Sequence, residues 1–166
     1  MIEADLLTWT PPDTLLHGAG LVIAGGDLLP LFTEVTDLER LFVQAAALLR
    51  PGGIFGIDAT LIDPDLLSEA ASDSAWGEDV RWTSGEADEV RRESRLRPDP
   101  AGRANCALLQ IRHWHEGEAT SGLRAPFPIR AWRASELEGV ADGVGLEVHQ
   151  RGSADRLRWL LRSRHG

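Results

Sequence analysis

Apolar and polar positions between Gly20 and Ala59 predict a strand, a helix and a second strand. Two short apolar runs, residues 21–24 and 54–57, flank a segment with helical spacing. A strand–helix–strand unit predicts two parallel strands joined by a right-handed crossover. The apolar residues of the helical segment recur three or four positions apart and so share one face: Leu38, Leu41, Phe42, Ala45, Leu48 and Leu49.

Both ends of this helix carry local signals. Thr36 is predicted to cap the start, with Glu39 three residues later completing a capping box. Pro51, Gly52 and Gly53 are predicted to end the helix, because proline and glycine interrupt helical backbone.

The carboxyl ends of two parallel strands lie at the same edge of their sheet, and open α/β sheets bind ligands outside those ends. Gly25-Gly26-Asp27 follows the first strand, and Asp58-Ala59-Thr60 closes the second. We therefore predict a ligand site along this edge, and we call these six residues the rim.

The middle of the chain predicts a helix followed by antiparallel strands. Asp63 and Pro64 begin the helix, as a cap and a first helical residue. Turn-forming residues 98–102 are expected to join two of the strands in a hairpin. The predicted strands cover residues 79–84, 88–97 and 104–115.

The carboxyl-terminal part predicts one more helix and two strands. Ser135 is predicted to cap a helix over residues 135–142. Strands at residues 146–150 and 156–162 are expected to pair antiparallel through the turn at Gly152 and Ser153.

The helix end Leu48-Leu49-Arg50-Pro51-Gly52-Gly53, set between two apolar strands, resembles class I S-adenosylmethionine-dependent methyltransferases. Residues 128–148 are similar to the family's late helix and the strand that follows it. The resemblance implies an α/β fold: a truncated Rossmann-like methyltransferase sheet, with a parallel core and an antiparallel last strand, plus an antiparallel β-hairpin insertion. It also implies a single methyltransferase-like domain over residues 1–166, in which residues 61–127 form a substrate cover.

The family's Gly-x-Gly-x-Gly motif, which lets the backbone approach the cofactor, has no counterpart near the start of this sequence. The first residues are similar to the segment after the family's third strand, and Asp5 then matches the acidic residue that faces the adenine. Gly25 and Gly26 are the other predicted cofactor-binding residues. We expect S-adenosylmethionine as the cofactor from the resemblance alone, and weak or absent binding by this chain by itself.

Methyl transfer from a sulfonium needs donor and acceptor held close, and needs a base only if the acceptor must lose a proton. Asp27 and Asp58 lie on the predicted rim, and either could be that base. For Asp27, a catalytic role and a simple turn-forming role remain equally open. For Asp58 we favour contact with the substrate, because an acid that ends a buried strand needs a partner or a ligand.

Further candidates lie between the predicted hairpin and the last helix. His113 is a candidate base; His115 shares its face, but the sequence supplies no further ligands, so we predict no metal site. Trp114 is a candidate wall of a substrate pocket. Arg130 is a candidate partner for a substrate carboxylate. For Trp114 core packing, and for Arg130 simple surface exposure, remain open.

Composition excludes several classes of function. All 17 basic residues are arginine, so lysine Schiff-base chemistry and a Walker-type phosphate lysine are excluded. The net charge of −9 argues against nonspecific binding to nucleic acid. A single cysteine, no visible signal peptide and no apolar run of about 18 residues indicate a cytoplasmic protein without a membrane span.

The first core strand sets the expectation about partners. By the resemblance, residues 21–24 lack a neighbour on one side, and an open apolar edge is an aggregation hazard. We expect the edge to be covered by a second copy, by a partner protein or by the first ten residues.

Three functions remain open. The chain is a methyltransferase acting on a small molecule and represented here by a fragment, from a late start codon or a split gene. Alternatively, it is a non-catalytic methyltransferase-like domain that acts by association. The third is a module that binds a small molecule without the cofactor. The sequence does not identify the methyl acceptor.

Overall fold

The computed structural model describes residues 5, 7–73, 75–84, 88–115, 118–119, 125–152 and 156–164. The chain forms two compact units, one from residues 1–61 and 132–166 and the other from residues 62–131. In chain order the elements are β1 (Ala19–Ala24), α1 (Val35–Leu48), β2 (Leu49–Thr60), α2 (Pro64–Asp73), β3 (Gly77–Ser84), β4 (Asp88–Pro98), β5 (Cys106–His115), β6 (Glu118–Ala119), β7 (Phe127–Arg130), α3 (Ala134–Gly143), β8 (Leu146–Arg151) and β9 (Arg156–Ser163).

The sheet of the first unit has the strand order β1-β2-β9-β8. β1 and β2 are parallel, with Leu21 opposite Ile54 and Ala24 opposite Ile57, as the sequence predicted. β9 runs antiparallel to both β2 and β8. The predicted parallel core with an antiparallel last strand is therefore confirmed.

The core of the first unit lies between this sheet and the helices α1 and α3. From α1 it buries Leu38, Leu41, Phe42 and Ala45, which are four of the six residues predicted to share a face. Phe42 meets Phe55 of β2 edge to face, with ring centroids 5.3 Å apart. Leu49 is also buried, but it begins β2 and does not belong to the helix.

Two predicted caps are wrong. α1 begins at Val35 after Glu34, so Thr36 lies inside the helix, and Glu34 makes no side-chain capping hydrogen bond. α3 begins at Ala134, one residue before the predicted Ser135 cap. There the backbone N–H of Arg133 donates to Oε2 of Glu136 at 2.8 Å. Capping signals are local and worth about 1 kcal/mol, so tertiary packing can move a helix start past them.

The Pro-Gly-Gly segment forms a bulge at the start of β2. Ala19 pairs with Leu49 and Leu21 pairs with Ile54, so the four residues 50–53 of β2 lie opposite the single residue Gly20 of β1. Gly52 has a φ of +69°, a left-handed backbone that favours glycine. A Cβ atom on Gly53 would lie 2.8 Å from the carbonyl oxygen of Arg50 and 3.0 Å from that of Ala19. The two glycines are therefore needed for different reasons.

Substitutions at these glycines should separate the two reasons. Gly53→Ala is expected to lower the free energy of unfolding by about 1–3 kcal/mol, because backbone atoms must move to admit the methyl group. Gly52→Ala should cost about 1–2 kcal/mol through its left-handed backbone alone. Asn tolerates that backbone, so it should cost less than Ala at position 52 but no less than Ala at position 53. Urea denaturation measures each change, and an Ala at position 53 that costs nothing would contradict this account.

The second unit is an antiparallel sheet with α2 packed on it. β3, β4 and β5 are consecutive neighbours, and β5 also pairs with β6 and β7. β4 and β5 pair from Val90–His115 to Pro98–Ala107, which confirms the predicted hairpin. The hydrophobic core of this unit is formed by Leu67, Ala71, Ala107, Ile129 and Ala131.

The hairpin turn is held by an aspartate and an arginine. Oδ2 of Asp99 accepts hydrogen bonds from the backbone N–H of Arg103 at 3.1 Å and from its Nε at 2.8 Å. Hydrogen bonding from the Arg103 side chain, above all, lowers the pKa of Asp99 to about 2.

Among the described residues, no helix is long and apolar enough to cross a membrane.

Candidate functional site

The structure brings the two parts of the predicted rim together. After β1 ends at Ala24, Gly26 and Asp27 adopt left-handed backbone with φ values of +72° and +58°. This turn directs the Asp27 carboxylate to the end of β2, where its Oδ1 accepts a hydrogen bond from the backbone N–H of Thr60 at 2.6 Å. Asp27 therefore joins the carboxyl ends of the two parallel strands.

Gly25 and Gly26 leave the rim open on the side of the first turn. Apart from its chain neighbours, a Cβ atom on Gly26 would meet no atom of the described residues within 4 Å, and one on Gly25 would meet Cγ2 of Ile23 at 3.8 Å. The left-handed backbone of Gly26, and not crowding, is what calls for glycine there. The free space above it is what a ligand approaching the backbone requires.

Asp58 lies two residues before the end of β2 and is opposite Arg158 of β9. Its Oδ1 is 3.5 Å from the Arg158 Nε, and the two side chains are 41% and 65% exposed. An ion pair this exposed contributes little to stability. The Asp58 carboxylate, which is part of the rim, and the neighbouring Arg158 guanidinium are therefore both accessible to solvent.

The segment that follows the rim is anchored by a buried tryptophan. A short 3-10 helix, Leu29–Leu31, follows the Asp27 turn. Nε1 of Trp132 donates to the carbonyl oxygens of Leu29 and Phe32, both at 3.1 Å, and the Trp132 side chain is buried. Sequence reasoning did not find this anchor, since about 100 residues separate its two sides.

Asp5 lies in a local turn at the start of the described chain. Its Oδ1 accepts the backbone N–H of Leu7 at 2.9 Å, and its carbonyl oxygen accepts those of Thr8 and Trp9. The carbonyl oxygen of Trp9 in turn accepts Nε2 of Gln44 at 2.8 Å, which ties the segment to α1. The cofactor role predicted for Asp5 remains a prediction.

His113, Trp114 and Arg130 all lie in the second unit. His113 is half-buried and meets Trp82 edge to face, with ring centroids 6.1 Å apart. Arg130 ends β7, where it pairs with Cys106 of β5. The side chain of His115 lies outside the described residues. Within the described part of the chain, no group of three or more metal-ligating side chains could hold an ion.

Trp114 belongs to a stack of alternating indole and guanidinium groups. The guanidinium of Arg112 lies 4.1 Å from the centre of Trp76 and 4.8 Å from that of Trp114. Arg95 lies 4.5 Å over Trp76, and Arg91 lies 5.0 Å over Trp114. Each cation–π contact of this kind contributes about 0.5–1 kcal/mol at an exposed site and more where water is excluded.

Glu93 contacts this stack through hydrogen bonds and an ion pair. Its Oε2 accepts Nε1 of Trp114 at 2.8 Å and Nε of Arg112 at 2.6 Å, and Arg91 lies 3.1 Å from its other oxygen. Burial alone would raise the pKa of Glu93, but the hydrogen bonds from Trp114 and Arg112 and the charges of Arg112 and Arg91 outweigh it and lower the pKa. The face of Trp114 predicted to meet substrate is thus already in contact with arginine.

Among the comparisons with known proteins, the one with solved structures gives matches. No family model and no curated protein sequence matches the chain. Among solved structures, the CcbJ methyltransferase from Streptomyces caelestis is similar, with a TM-score of 0.70 and 19% identity. The sugar N-methyltransferase KedS8 from Streptoalloteichus sp. is also similar, with a TM-score of 0.65 and 17% identity. A third similar structure is S-adenosylmethionine-bound CalS10, an amino pentose methyltransferase from Micromonospora echinaspora, with a TM-score of 0.63 and 15% identity.

These matches include nearly all of this chain, at 96%, 98% and 96%, but only 62%, 61% and 62% of the three structures. At such low identity they establish the fold and not the activity. The parallel β1–β2 pair, the antiparallel β9 and the second antiparallel sheet are all consistent with that match. The chain therefore has the fold of the class I S-adenosylmethionine-dependent methyltransferases.

Proposed function

We propose that this chain forms part of the catalytic domain of an S-adenosylmethionine-dependent methyltransferase that acts on a small molecule. The observation that supports the proposal is the rim, where Asp27 joins the carboxyl ends of two parallel strands beneath an open glycine turn. Ligands of open α/β sheets bind at such ends. The structural neighbours include enzymes described as acting on an amino pentose and on sugars.

The rim residues suit one side of this cofactor. When bound, S-adenosylmethionine supplies a methyl group already activated by a positive sulfonium. The exposed Asp58 carboxylate would favour that positive charge, and the space above Gly26 would admit a ligand close to the backbone. The hydrogen bond that the Asp27 carboxylate accepts from the Thr60 amide would hold the rim in shape.

The alternative is a non-catalytic domain that acts by association. The exposed apolar residues of β1 favour it, since Leu21 and Ile23 are more than half exposed. Ligand binding at the rim distinguishes the two functions, because a purely associative domain has no reason to keep that site.

We expect S-adenosylhomocysteine to bind the isolated chain weakly, with a Kd on the order of 1 mM, because the rim would contact only one side of such a ligand. In a titration of ¹⁵N-labelled chain followed by NMR, the shifted amides should be those of Gly25–Asp27 and Asp58–Thr60. Shifts confined to other residues, or none at about 5 mM ligand, would contradict the proposal. Submicromolar affinity would contradict the expectation that this chain binds only weakly by itself.

A matched pair of glycines provides the control. Gly26 and Gly52 both have left-handed backbone, and among the described residues other than their chain neighbours neither has an atom within 4 Å of an added Cβ. Of the two, Gly26 lies on the rim and Gly52 does not. Gly26→Leu should abolish the shifts, whereas Gly52→Leu, which introduces the same strain and the same side chain, should retain them. Equal effects of the two variants would attribute the loss to destabilisation and not to the site.

A further inference from the structure

Two neighbouring arginines of β4 lie on the face of the second unit's sheet that is turned away from α2. Side chains along a strand alternate between the two faces. Leu96 packs against the hydrophobic core that α2 shares with the sheet. Arg95 and Arg97, on either side of Leu96, therefore project from the opposite face, which is also the face of the stack. We call these two residues the arginine pair.

The acids that flank the arginine pair along the chain are engaged elsewhere. Glu93, two residues before Arg95, forms ion pairs with other arginines of the stack. Asp99, two residues after Arg97, accepts hydrogen bonds from Arg103 at both of its carboxylate oxygens. Both acids thus already have arginine partners outside the pair.

The cross-strand neighbours of the arginine pair carry no charge. Arg95 is opposite Gln110 of β5, and Arg97 is opposite Leu108. Within the part of the chain that the structure describes, the hydrogen bond from Nε of Arg95 to Oε1 of Gln110, at 2.6 Å, is the one hydrogen bond of these two guanidinium groups, and neither forms an ion pair. The pair therefore places two positive charges side by side without a matching acid among the described residues.

One member of the pair is already held in place. The Arg95 guanidinium stacks on Trp76 at 4.5 Å, and Gln110 fixes its Nε, while the two terminal nitrogens stay available to a ligand. A guanidinium with a fixed orientation loses little conformational freedom when it binds. Arg97 is exposed, and two strand positions place its Cα about 7 Å from that of Arg95. Both side chains can thus reach one small ligand between them.

Two adjacent guanidinium groups match the charge and the oxygens of a phosphate group. A carboxylate has one charge and two oxygens, which a single arginine can satisfy through two parallel hydrogen bonds. A phosphate monoester carries a charge of about −1.5 to −2 at pH 7 and has three acceptor oxygens, so it can accept hydrogen bonds from two arginines at once.

We propose that the arginine pair is a binding site for a phosphate group, either the free ion or the monoester of a small molecule. Arg95 is the oriented donor, and Arg97 supplies the second charge from the solvent side. The site lies within the second unit, and the proposal does not depend on methyltransferase activity.

The expected affinity is modest, because the site is at the surface. The net charge of −9 gives the chain an overall field that repels anions, so phosphate binding has to come from a local group of positive charges. At about 0.15 M salt, where the Debye length is about 8 Å, most of that repulsion is screened. We expect a Kd on the order of 1 mM for inorganic phosphate under these conditions.

An NMR titration of the ¹⁵N-labelled full chain with inorganic phosphate tests the proposal. At about pH 7.5 phosphate is mostly dianionic, and the Nε–Hε signals of Arg95 and Arg97 should shift together. Arg97→Gln should weaken binding about tenfold, as loss of a charge-assisted hydrogen bond predicts. Arg92→Gln is the matched control, because it makes the same change of charge on the opposite face of the same strand, where Arg92 pairs with Asp79. It should change the Kd by less than about twofold.

Two further measurements test the geometry and the ligand. Arg95→Lys keeps the charge but replaces the planar fork with a single ammonium, so it should also weaken binding. Circular dichroism shows whether each variant keeps the fold, and the exposed position of Arg97 makes its variant the safer one. Acetate, with one charge, should bind about tenfold more weakly than phosphate. Glycerol phosphate distinguishes the two sources: tighter binding than inorganic phosphate supports a monoester as the ligand, and equal binding supports the free ion.

Three outcomes would overturn the proposal. The first is the absence of shifts at Arg95 and Arg97 up to about 20 mM phosphate. The second is an equal loss of binding in Arg97→Gln and Arg92→Gln, which would attribute binding to the net charge of the chain. The third is acetate binding as tightly as phosphate, which would exclude a site that selects a dianion.

Discussion

Replacing Phe42 or Phe55 with alanine is expected to lower the free energy of unfolding by about 3–5 kcal/mol in each case. Both rings are completely buried and meet edge to face at 5.3 Å and 90°. Each substitution removes apolar surface from the core and leaves a cavity that the rigid crossover from α1 to β2 cannot close. The total stability of a small domain is about 5–15 kcal/mol, so either change removes a large part of it.

Urea denaturation of the single and double variants measures the effect and its coupling. The double variant should be less destabilised than the sum of the singles by about 0.5–1.5 kcal/mol, since the ring contact is lost only once. Phe42→Leu keeps most of the volume and should remain folded if the alanine variant does not. Val43→Ala, next in the helix but 52% exposed, should change stability by less than about 0.5 kcal/mol. A comparable loss for Val43→Ala would contradict this assignment of the core.

The parallel strand pair could be predicted from sequence because its signals are contiguous. Two apolar runs and one helical stretch lie within about 40 residues, and only one connection, a right-handed crossover, fits them. The structure places Leu21 opposite Ile54, which is the pairing that aligns the two predicted runs. The rim follows directly, since strand direction decides which residues end together.

The helix starts could not be predicted to the residue. Thr36 and Ser135 are good caps in isolation, but α1 begins before Thr36, and α3 begins after Arg133. A cap contributes about 1 kcal/mol, whereas burial of a residue such as Leu38 contributes more. Packing therefore determines the helix start, and the caps adapt to it.

The stack around Glu93 was only partly visible in the sequence. Arg91, Glu93 and Arg95 alternate along β4 and so share a face. That they meet Arg112 and Trp114 depends on the strand register, which the turn at residues 98–102 sets. Even with the register known, the sequence does not indicate that Trp76, outside both strands, completes the stack.

Trp132→Ala is expected to lower the free energy of unfolding by about 3–5 kcal/mol. The indole is 4% exposed, and its Nε1 is the hydrogen-bond donor that holds the carbonyl oxygens of Leu29 and Phe32 after the rim turn. Loss of the side chain both leaves a cavity and frees the segment that leads away from Asp27. We therefore expect amide exchange at residues 28–32 to rise more than elsewhere in the first unit.

Trp132→Phe separates packing from hydrogen bonding. Phenylalanine fills most of the volume but offers no donor, so both carbonyl oxygens lose the indole N–H. The carbonyl oxygen of Leu29 still accepts the backbone N–H of Phe32, and we expect a total cost of about 1–3 kcal/mol. Faster exchange confined to residues 28–32 in this variant would identify the hydrogen bonds as the anchor of the rim segment. A Trp132→Phe protein with wild-type stability and wild-type exchange would show instead that packing alone holds it. In that case the left-handed turn at Gly26 and Asp27, with its bond to Thr60, would have to fix the rim without help from Trp132.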